Sequence, residues 1–286
     1  MKLVTYNIQY GIGRDGKFDL QRIAARLAGA DIIALQEVTR NFMRNGGADL
    51  VAGLAELLPD CFHVFGPAMD IDFGATDKAG KPLNQRLQFG NMVLSRWPIV
   101  ASRNLLLPRT RRLNQSNLQR VAMEALIIAP SGPIRIYSVH LDHVNLEERM
   151  LQIRHLKERV YAYPLEGGAL TGSAEYGFPE LPCPEEFILM GDFNMVQHSP
   201  EYVLMTGADD PAEGRQIVAH HPVDGFSLGD GISENAVSWV DNHCPEKSRL
   251  IDFAFVHAAL ASRVRKTWID SDAEGSDHLP VWLELD

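Results

Sequence analysis

The sequence predicts an α/β domain, on three observations: a β-α-β opening, a body of short apolar runs rich in β-branched residues, and no linker-like change in composition anywhere along residues 1–286. "KLVTYNI" reads as the first strand. "DLQRIAARLAGA" puts Ile23, Leu27 and Ala30 on one helical face, and "DIIALQEV" is the next strand. "ADLVAGLAELLP" repeats the helical period. "FHVFGPAM", "FGNMVLSR", "VAMEALIIA" and "PIRIYSVHLD" then read as strands separated by Gly, Pro and Asn. "NLEERMLQIRHLKERVYAY" is a long helix whose apolar stripe is Leu146, Met150, Ile153, Leu156 and Val160. The chain closes with a strand "FILMGDFNM", a helix near "SPEYVLMTG", a strand around "RLIDFAFV" and a last strand "LPVWLELD". With 45% hydrophobic and 22% charged residues, this length suffices to bury a large core as one domain, 1–286.

Charge and cysteine usage bound the function. A formal net charge of −10 argues against a protein whose main work is non-specific adhesion to nucleic acid or anionic membrane, although a local basic patch would override it. Three widely spaced cysteines, Cys61, Cys183 and Cys244, fit reduced thiols better than a disulfide framework, and none has metal-ligand spacing. "MKLVTYNIQYG" is strand-like from its second residue and leaves no room for a signal peptide. No apolar run reaches the roughly 20 residues of a spanning helix. These points lead us to expect a cytoplasmic protein with no membrane span. Two stretches exceed ordinary loop length, Gly66 to Gln88 and Pro164 to Glu186, and both are candidate substrate-selecting loops.

Polar residues interrupt the strand ends repeatedly. They are Asn7, Gln36 and Glu37, then His140, Asp142 and His143, then Asp192 and Asn194, then Asp252, Asp277 and His278. Alternation along a strand should point Asp192 and Asn194 to the same side and make the adjacent Asp277 and His278 diverge if that segment is extended. Taken alone, Asp192 after Gly191 reads as a turn or cap residue, and a lone histidine as structural. Asp252, flanked by apolar residues, must find a partner or shift its pKa. Together the set offers hard oxygen ligands with no paired cysteine and no HExxH helix. That suits Mg²⁺, or Mn²⁺ in its place, rather than structural zinc, and fits metal-assisted attack of water on a phosphate ester. No phosphate-cradling GxxxxGK[ST] loop, GxGxxG turn or GxSxG elbow is present.

The ordered segments "TYNI", "LQEV", "GNMVLSRWPI", "SVHLDH", "MGDFNM", "RLIDFAFV" and "GSDHLPVW" resemble the endonuclease/exonuclease/phosphatase superfamily, DNase I-like and exonuclease III-like, from Thr5 to Pro280. The resemblance implies a four-layered sandwich, two mixed β-sheets packed face to face with helices on both outer sides. It implies that Glu37 is the principal Mg²⁺ ligand, assisted by Asn7 and Asp277. Asp192 would deprotonate the attacking water and Asn194 would hold a phosphate oxygen. His278, oriented and kept protonated by Asp252, would contact the phosphate, and His140 would help offset its charge. Asn91, Asp142 and Arg120 are expected to bind substrate.

Substrate is less legible. "SRNLLLPRTRRLNQSNLQR" carries Arg103, Arg109, Arg111, Arg112 and Arg120, which would form either a phosphate-binding flank or a solvated hairpin whose arginines pair with surplus acids. His140 stands where the abasic-endonuclease branch has tyrosine. The first reading is a Mg²⁺-dependent phosphoesterase, monomeric, cleaving a phosphodiester or phosphomonoester of a small molecule, lipid headgroup or nucleic-acid end. The second is a DNA or RNA nuclease that grips its substrate through the Arg103–Arg120 hairpin. A catalytically inactive interaction domain is a third, disfavoured because a cluster of like charges has no structural use without a cation.

Overall fold

Strand alternation sorts the apolar residues into three packed layers. The computed structural model describes residues 1–74, 76–228, 231–233 and 235–286. One sheet holds β1 (Lys2–Asn7), β2 (Ile32–Arg40), β3 (Phe62–Asp72), β4 (Arg86–Ser95), β11 (Val264–Ile269) and β12 (Val281–Leu285), in the order β11-β12-β1-β2-β4-β3. The other holds β5 (Ile99–Leu106), β6 (Val121–Ala129), β7 (Gly132–His140), β8 (Phe187–Asp192), β9 (Val223–Asp224) and β10 (Asp252–Val256), in the order β5-β6-β7-β8-β10-β9. Each sheet is mixed, with β1–β2 parallel in the first and β7–β8 parallel in the second. Such pairs need a crossover, and helices supply it. They are α1 (Leu20–Arg26) between β1 and β2, and α3 (Leu146–Glu166) between β7 and β8.

Leu3, Ile32, Ala34, Val93, Ile136, Ile188 and Met190 point inward and form the core between the sheets. Their sequence neighbours Val4, Ile33, Leu35 and Leu94 pack outward beneath α1 and α2 (Leu50–Leu57). On the other side Tyr137, Val139, Leu189 and Phe253 pack beneath α3 and α4 (Pro200–Thr206). The result is helices, sheet, sheet, helices, as the resemblance implies. Asp19, Asn145 and Ser199 cap α1, α3 and α4, each accepting a backbone N–H in the first turn.

Several expected boundaries differ. β3 continues to Asp72 and β4 begins at Arg86, so both ends of the expected loop 66–88 are strand and the connection between them is shortened to 73–85. α3 runs through Pro164 to Glu166, shortening the second expected loop, which also contains a turn of 3₁₀ helix at Ser173–Tyr176. In α3 the stripe is buried at Ile153, Leu156 and Val160, but Leu146 is 45% exposed because the first turn overhangs the sheet. β5, β9 and β11 were not evident in the sequence. β11, "VRKTWI", is a half-exposed edge with Arg265 and Lys266 among its apolar residues.

One glycine is fixed by close packing. Gly191 in β8 has φ 155°, and a Cβ there would overlap the backbone carbonyl of Val139 on the neighbouring β7. Backbone cannot yield as a side-chain end can. Gly191→Ala should therefore destabilise the protein by about 2–4 kcal/mol in urea unfolding, and a wild-type midpoint would contradict this packing.

Candidate active site

The inner faces of the two sheets change from apolar to polar at the same height. On β1 the inward series is Leu3, Thr5, Asn7; on β7 it is Ile136, Ser138, His140; on β8 it is Ile188, Met190, Asp192. Register then aligns the polar ends. Asn7 pairs with Gln36, and His140, Asp192 and Asp252 lie in one row across β7, β8 and β10. Asn7 Nδ2 donates to Asp192 Oδ2 across the sheets (3.1 Å) and to Glu37 Oε1 (3.3 Å). Beneath this pair Gln36 Nε2 donates to Ser138 Oγ (2.9 Å), so Gln36 joins the sheets rather than reaching the site.

A cleft of about 460 Å³ opens above this row. Glu37, Arg120, His140, Asp192, Asn194, Asp277 and His278 all line it, as do Tyr10, Phe42, Arg44, Phe89, His143, Trp239 and Arg249. Asn7 and Asp252 sit just below, bonded to those above. Glu37 reaches the cleft because the β2–β4 register shifts between Leu35 and Val38, and the intervening Glu37 adopts φ 60°. A left-handed backbone costs a non-glycine residue about 1–2 kcal/mol. Asn194 also has φ 50°, just past the end of β8. Asp277 and His278 do not diverge. Ser276 and Asp277 form a bend rather than a strand, so both side chains face the cleft.

His278 is held on one edge. Its Nδ1–H donates to Asp252 Oδ2 (2.9 Å), while Ser238 Oγ donates to the same oxygen (2.6 Å). Its Nε2 lies 3.8 Å from Asp192 Oδ2. Burial opposes a charge on this ring, but Asp252 and Asp192 outweigh it and push the pKa up to about 10. Asp192 is driven the other way for a carboxylate. Burial, helped by Asp252 and opposed by His278 and Arg120, pushes it up to about 7. Its Oδ1 accepts the Asn194 N–H (3.0 Å). Burial and the nearby Asp277 likewise raise Glu37, whose carboxylate accepts the Asn7 amide.

An arginine stands beside His140 on this side of the cleft. Arg120 donates from Nη1 to His140 Nε2 (2.7 Å) and from Nη2 to His143 Nδ1 (2.8 Å). A guanidinium cannot accept, so both ring nitrogens must present lone pairs. Burial and Arg120 hold His140 well below the usual histidine pKa. Against the expectation that His140 itself offsets phosphate charge, its Nε2 faces the Arg120 guanidinium, which is the cation of that pair.

Two expected substrate residues lie elsewhere. Asn91 is buried between the sheets and does not line the cleft; its Nδ2 donates to the Ser138 and Val121 carbonyls (2.8 and 3.2 Å). Asp142 accepts the Val144 and Asn145 N–H groups (3.0 and 2.6 Å) and pairs with Arg112, closing the turn into α3. Among the described residues, none of 66–88 or 164–186 lines the cleft. The arginine-rich segment is largely committed as well. Arg103 pairs with Glu124 (2.6 Å) and Arg112 with Asp142 and Glu148, while Glu148 also accepts the Thr110 N–H and the Asn117 amide. These contacts tie residues 110–117 down as a cleft wall and leave Arg120 as the member that reaches the site.

The rim residues missed in the sequence come from loops. Arg44 lies over the Tyr10 ring (5.5 Å) and donates to its hydroxyl (2.9 Å). Arg249 lies over Trp239 (5.3 Å), whose indole N–H donates to Asp277 Oδ2 (3.2 Å). No local pattern in the sequence marks these positions.

Two mixed sheets face to face, with carboxylates, carboxamides and a carboxylate-bonded imidazole gathered at one end of their interface, define a phosphoester hydrolase. Residues 4–278 match the model of the Endonuclease/Exonuclease/phosphatase family, and the chain belongs to that family. An endonuclease/exonuclease/phosphatase structure from Beutenbergia cavernae is 23% identical, with 99% of this chain and 70% of that chain covered, at TM-score 0.67. A mannosyl-6-phosphatase of Bacteroides thetaiotaomicron is 20% identical over 100% and 99%, at TM-score 0.66. A Neisseria 3′ phosphatase, solved with product DNA hairpin, is 16% identical over 100% and 99%, at TM-score 0.59. These likenesses share the fold. No curated protein matches the chain.

The Asp252–His278 pair sets a pH dependence. A folded-state pKa above the free value means that protonated His278 stabilises the fold fully below about pH 6.5. That contribution is lost as pH rises through about 10. In metal-free protein, imidazole NMR should show His278 protonated at pH 7.5 and titrating well below that in Asp252→Asn. A neutral ring in the unsubstituted protein at pH 7.5 would reject the assignment.

Proposed function

We propose that this chain is a Mg²⁺-dependent phosphoesterase that hydrolyses a phosphate ester of a small molecule by in-line attack of water. The observation that carries this reading is the meeting of Asp192 with Asn7, Asn194 and the Asp252-bonded His278 on the floor of one cleft. Asp192, raised toward neutrality, suits a general base, since a base works best when its pKa lies near the operating pH. His278, protonated, and Arg120 present positive charge to the phosphate oxygens as the transition state forms. Asn194 keeps one amide N–H on the Leu141 carbonyl (3.2 Å), which fixes the orientation of the other toward a ligand.

The donor set fits a hard divalent cation. Glu37, Asn7 and Asp277 offer oxygen atoms, and Glu37 and Asp277 repel each other without a counter-charge. Asp192, Asp252 and His278 also bring ligand atoms within 4.8 Å of one another. Because Asp252 already holds His278 Nδ1, we read that trio as the proton-handling group and Glu37 as the metal ligand. When bound, Mg²⁺ supplies Lewis-acid charge to the phosphate and leaving oxygens; Mn²⁺ would serve similarly. The nuclease reading is weakened because two of the five arginines of the segment, Arg103 and Arg112, are paired with acids of the protein.

Activity on p-nitrophenyl phosphate and bis-p-nitrophenyl phosphate tests this. EDTA should abolish turnover and Mg²⁺ or Mn²⁺ restore it, and Glu37→Gln should raise the Mg²⁺ concentration needed for half-maximal rate. Metal-independent hydrolysis would sink the proposal. Asp192→Asn should lower kcat by about 10²- to 10⁴-fold while leaving the unfolding midpoint near wild type, whereas an unchanged kcat would remove Asp192 as base.

A further inference from the structure

Beside the catalytic cleft lies a larger cavity of about 630 Å³. The two share Arg249, and their walls are continuous in the chain: Asn194 lines the cleft and Val196, Gln197 and His198 the cavity, while Ile251 lines the cleft and Ser248 and Leu250 the cavity. Loop residues Asn235, Ala236 and Val237 close the far side, just before Trp239 of the cleft. Arg249 therefore stands at the junction. Among the described residues no acid lies within ion-pair distance of its guanidinium, which rests over the Trp239 ring instead. A cation between a phosphate-binding cleft and a second chamber is placed to touch a ligand that spans both.

We infer that this cavity is the subsite for the organic part of the substrate, and that it takes a polyhydroxylated group such as a hexose or other polyol. The inference rests on the phosphoesterase reading for where the phosphate sits. The chemistry of the walls selects the class. Gln197, Asn235, Glu246 and Ser248 present amide, carboxylate and hydroxyl groups that both donate and accept, which matches vicinal hydroxyls. Part of this capacity is free. Gln197 uses Nε2 on Asp224 (3.1 Å), leaving its carbonyl oxygen, and Ser248 Oγ accepts the Asp241 N–H (3.0 Å), leaving its proton. Among the described residues the walls carry no Phe, Tyr or Trp, and His198 and Arg249 are the planar groups there. The walls lack the continuous apolar lining that an acyl chain would need, since Val196, Ala236, Val237 and Leu250 are interspersed with the polar residues. The volume exceeds that of the cleft, so a group of hexose size fits with water around it.

The test is calorimetric binding to full-length Asp192→Asn with Mg²⁺, a background in which bound ester is not turned over. Hexose 6-phosphates, inositol 1-phosphate, methyl phosphate and inorganic phosphate are the probes. At least one hexose or polyol phosphate should bind about tenfold or more tightly than methyl phosphate, because only it can exchange water for the wall groups. Adding Ala236→Trp, which fills the chamber, or Asn235→Ala, an exposed position that leaves the fold intact, should remove most of that preference. Neither should change the affinity for methyl phosphate. Equal affinities across the panel, or a preference that survives both substitutions, would overturn the subsite. Turnover of p-nitrophenyl phosphate by the unsubstituted protein separates the two readings. Failure of that turnover with the polyol preference intact would count against the hydrolase and for the cavity; turnover with no preference would do the reverse.

Discussion

The hydrogen bond from Asn7 to Asp192 joins two sheets that share no backbone ladder, and the site depends on the alignment it reports. Side chains on the inner faces alternate strictly, so a slip of one residue in either sheet would turn its polar end outward. The register is set lower down by apolar packing of Leu3, Ile32, Ile136 and Ile188. Above them lies a belt in which Gln36, Ser138 and Asn91 satisfy one another across the interface. An unmatched polar group at that depth would cost about 1–3 kcal/mol, which penalises any alternative alignment. The catalytic row is thus the upper end of the core, and its geometry is inherited from packing that contains no chemistry.

Electrostatics in this row is resolved by division of labour. Four carboxylates, Glu37, Asp192, Asp252 and Asp277, crowd a small volume, and they are not equivalent. Asp252 is tied to His278 and Ser238, which spends its charge on keeping the imidazole cationic. Asp192 is buried beside Asp252, and its pKa rises. Asp277 is oriented by the Trp239 indole. Among the described residues Glu37 has only an amide partner, and it is the acid with most to gain from a divalent cation. Like charges are thus distinguished by their partners, as the proposed division into base, orienting group and metal ligand requires.

The layered fold and much of the site were legible because both follow from strand periodicity. Asp192 and His140 share the parity of the buried Met190 and Ile136, and a polar residue that continues an inward series at a strand end has to open into something. The same signal misplaced Asn91. Burial in a strand tells that a polar group is satisfied, and whether its partner is a ligand or two backbone carbonyls depends on the facing sheet. Asp142 failed for a similar reason, since its turn supplies its own donors. Arg44, Trp239 and Arg249 were invisible because loop positions have no period, and what brings them together is the tertiary path of segments distant in the chain.

Strain marks the same place by an independent route. Among the described residues Gln9, Tyr10, Glu37 and Asn194 are four of the six non-glycine residues with positive φ, and all four line the cleft. Each would relax to a β or right-handed conformation in a free chain. Glu37 is kept there by its place as the extra residue between the paired Leu35 and Val38 of β2. Asn194 is kept by the Asp192 carboxylate on its N–H and by its own amide on the Leu141 carbonyl. Gln9 is kept by the Asn7 carboxamide oxygen, which accepts its N–H (3.1 Å). In all three the restraint includes a side chain of the catalytic row or the strand that bears it. The strained loops and the polar row therefore hold one another in place, and the cleft has its floor and walls set before any phosphate enters.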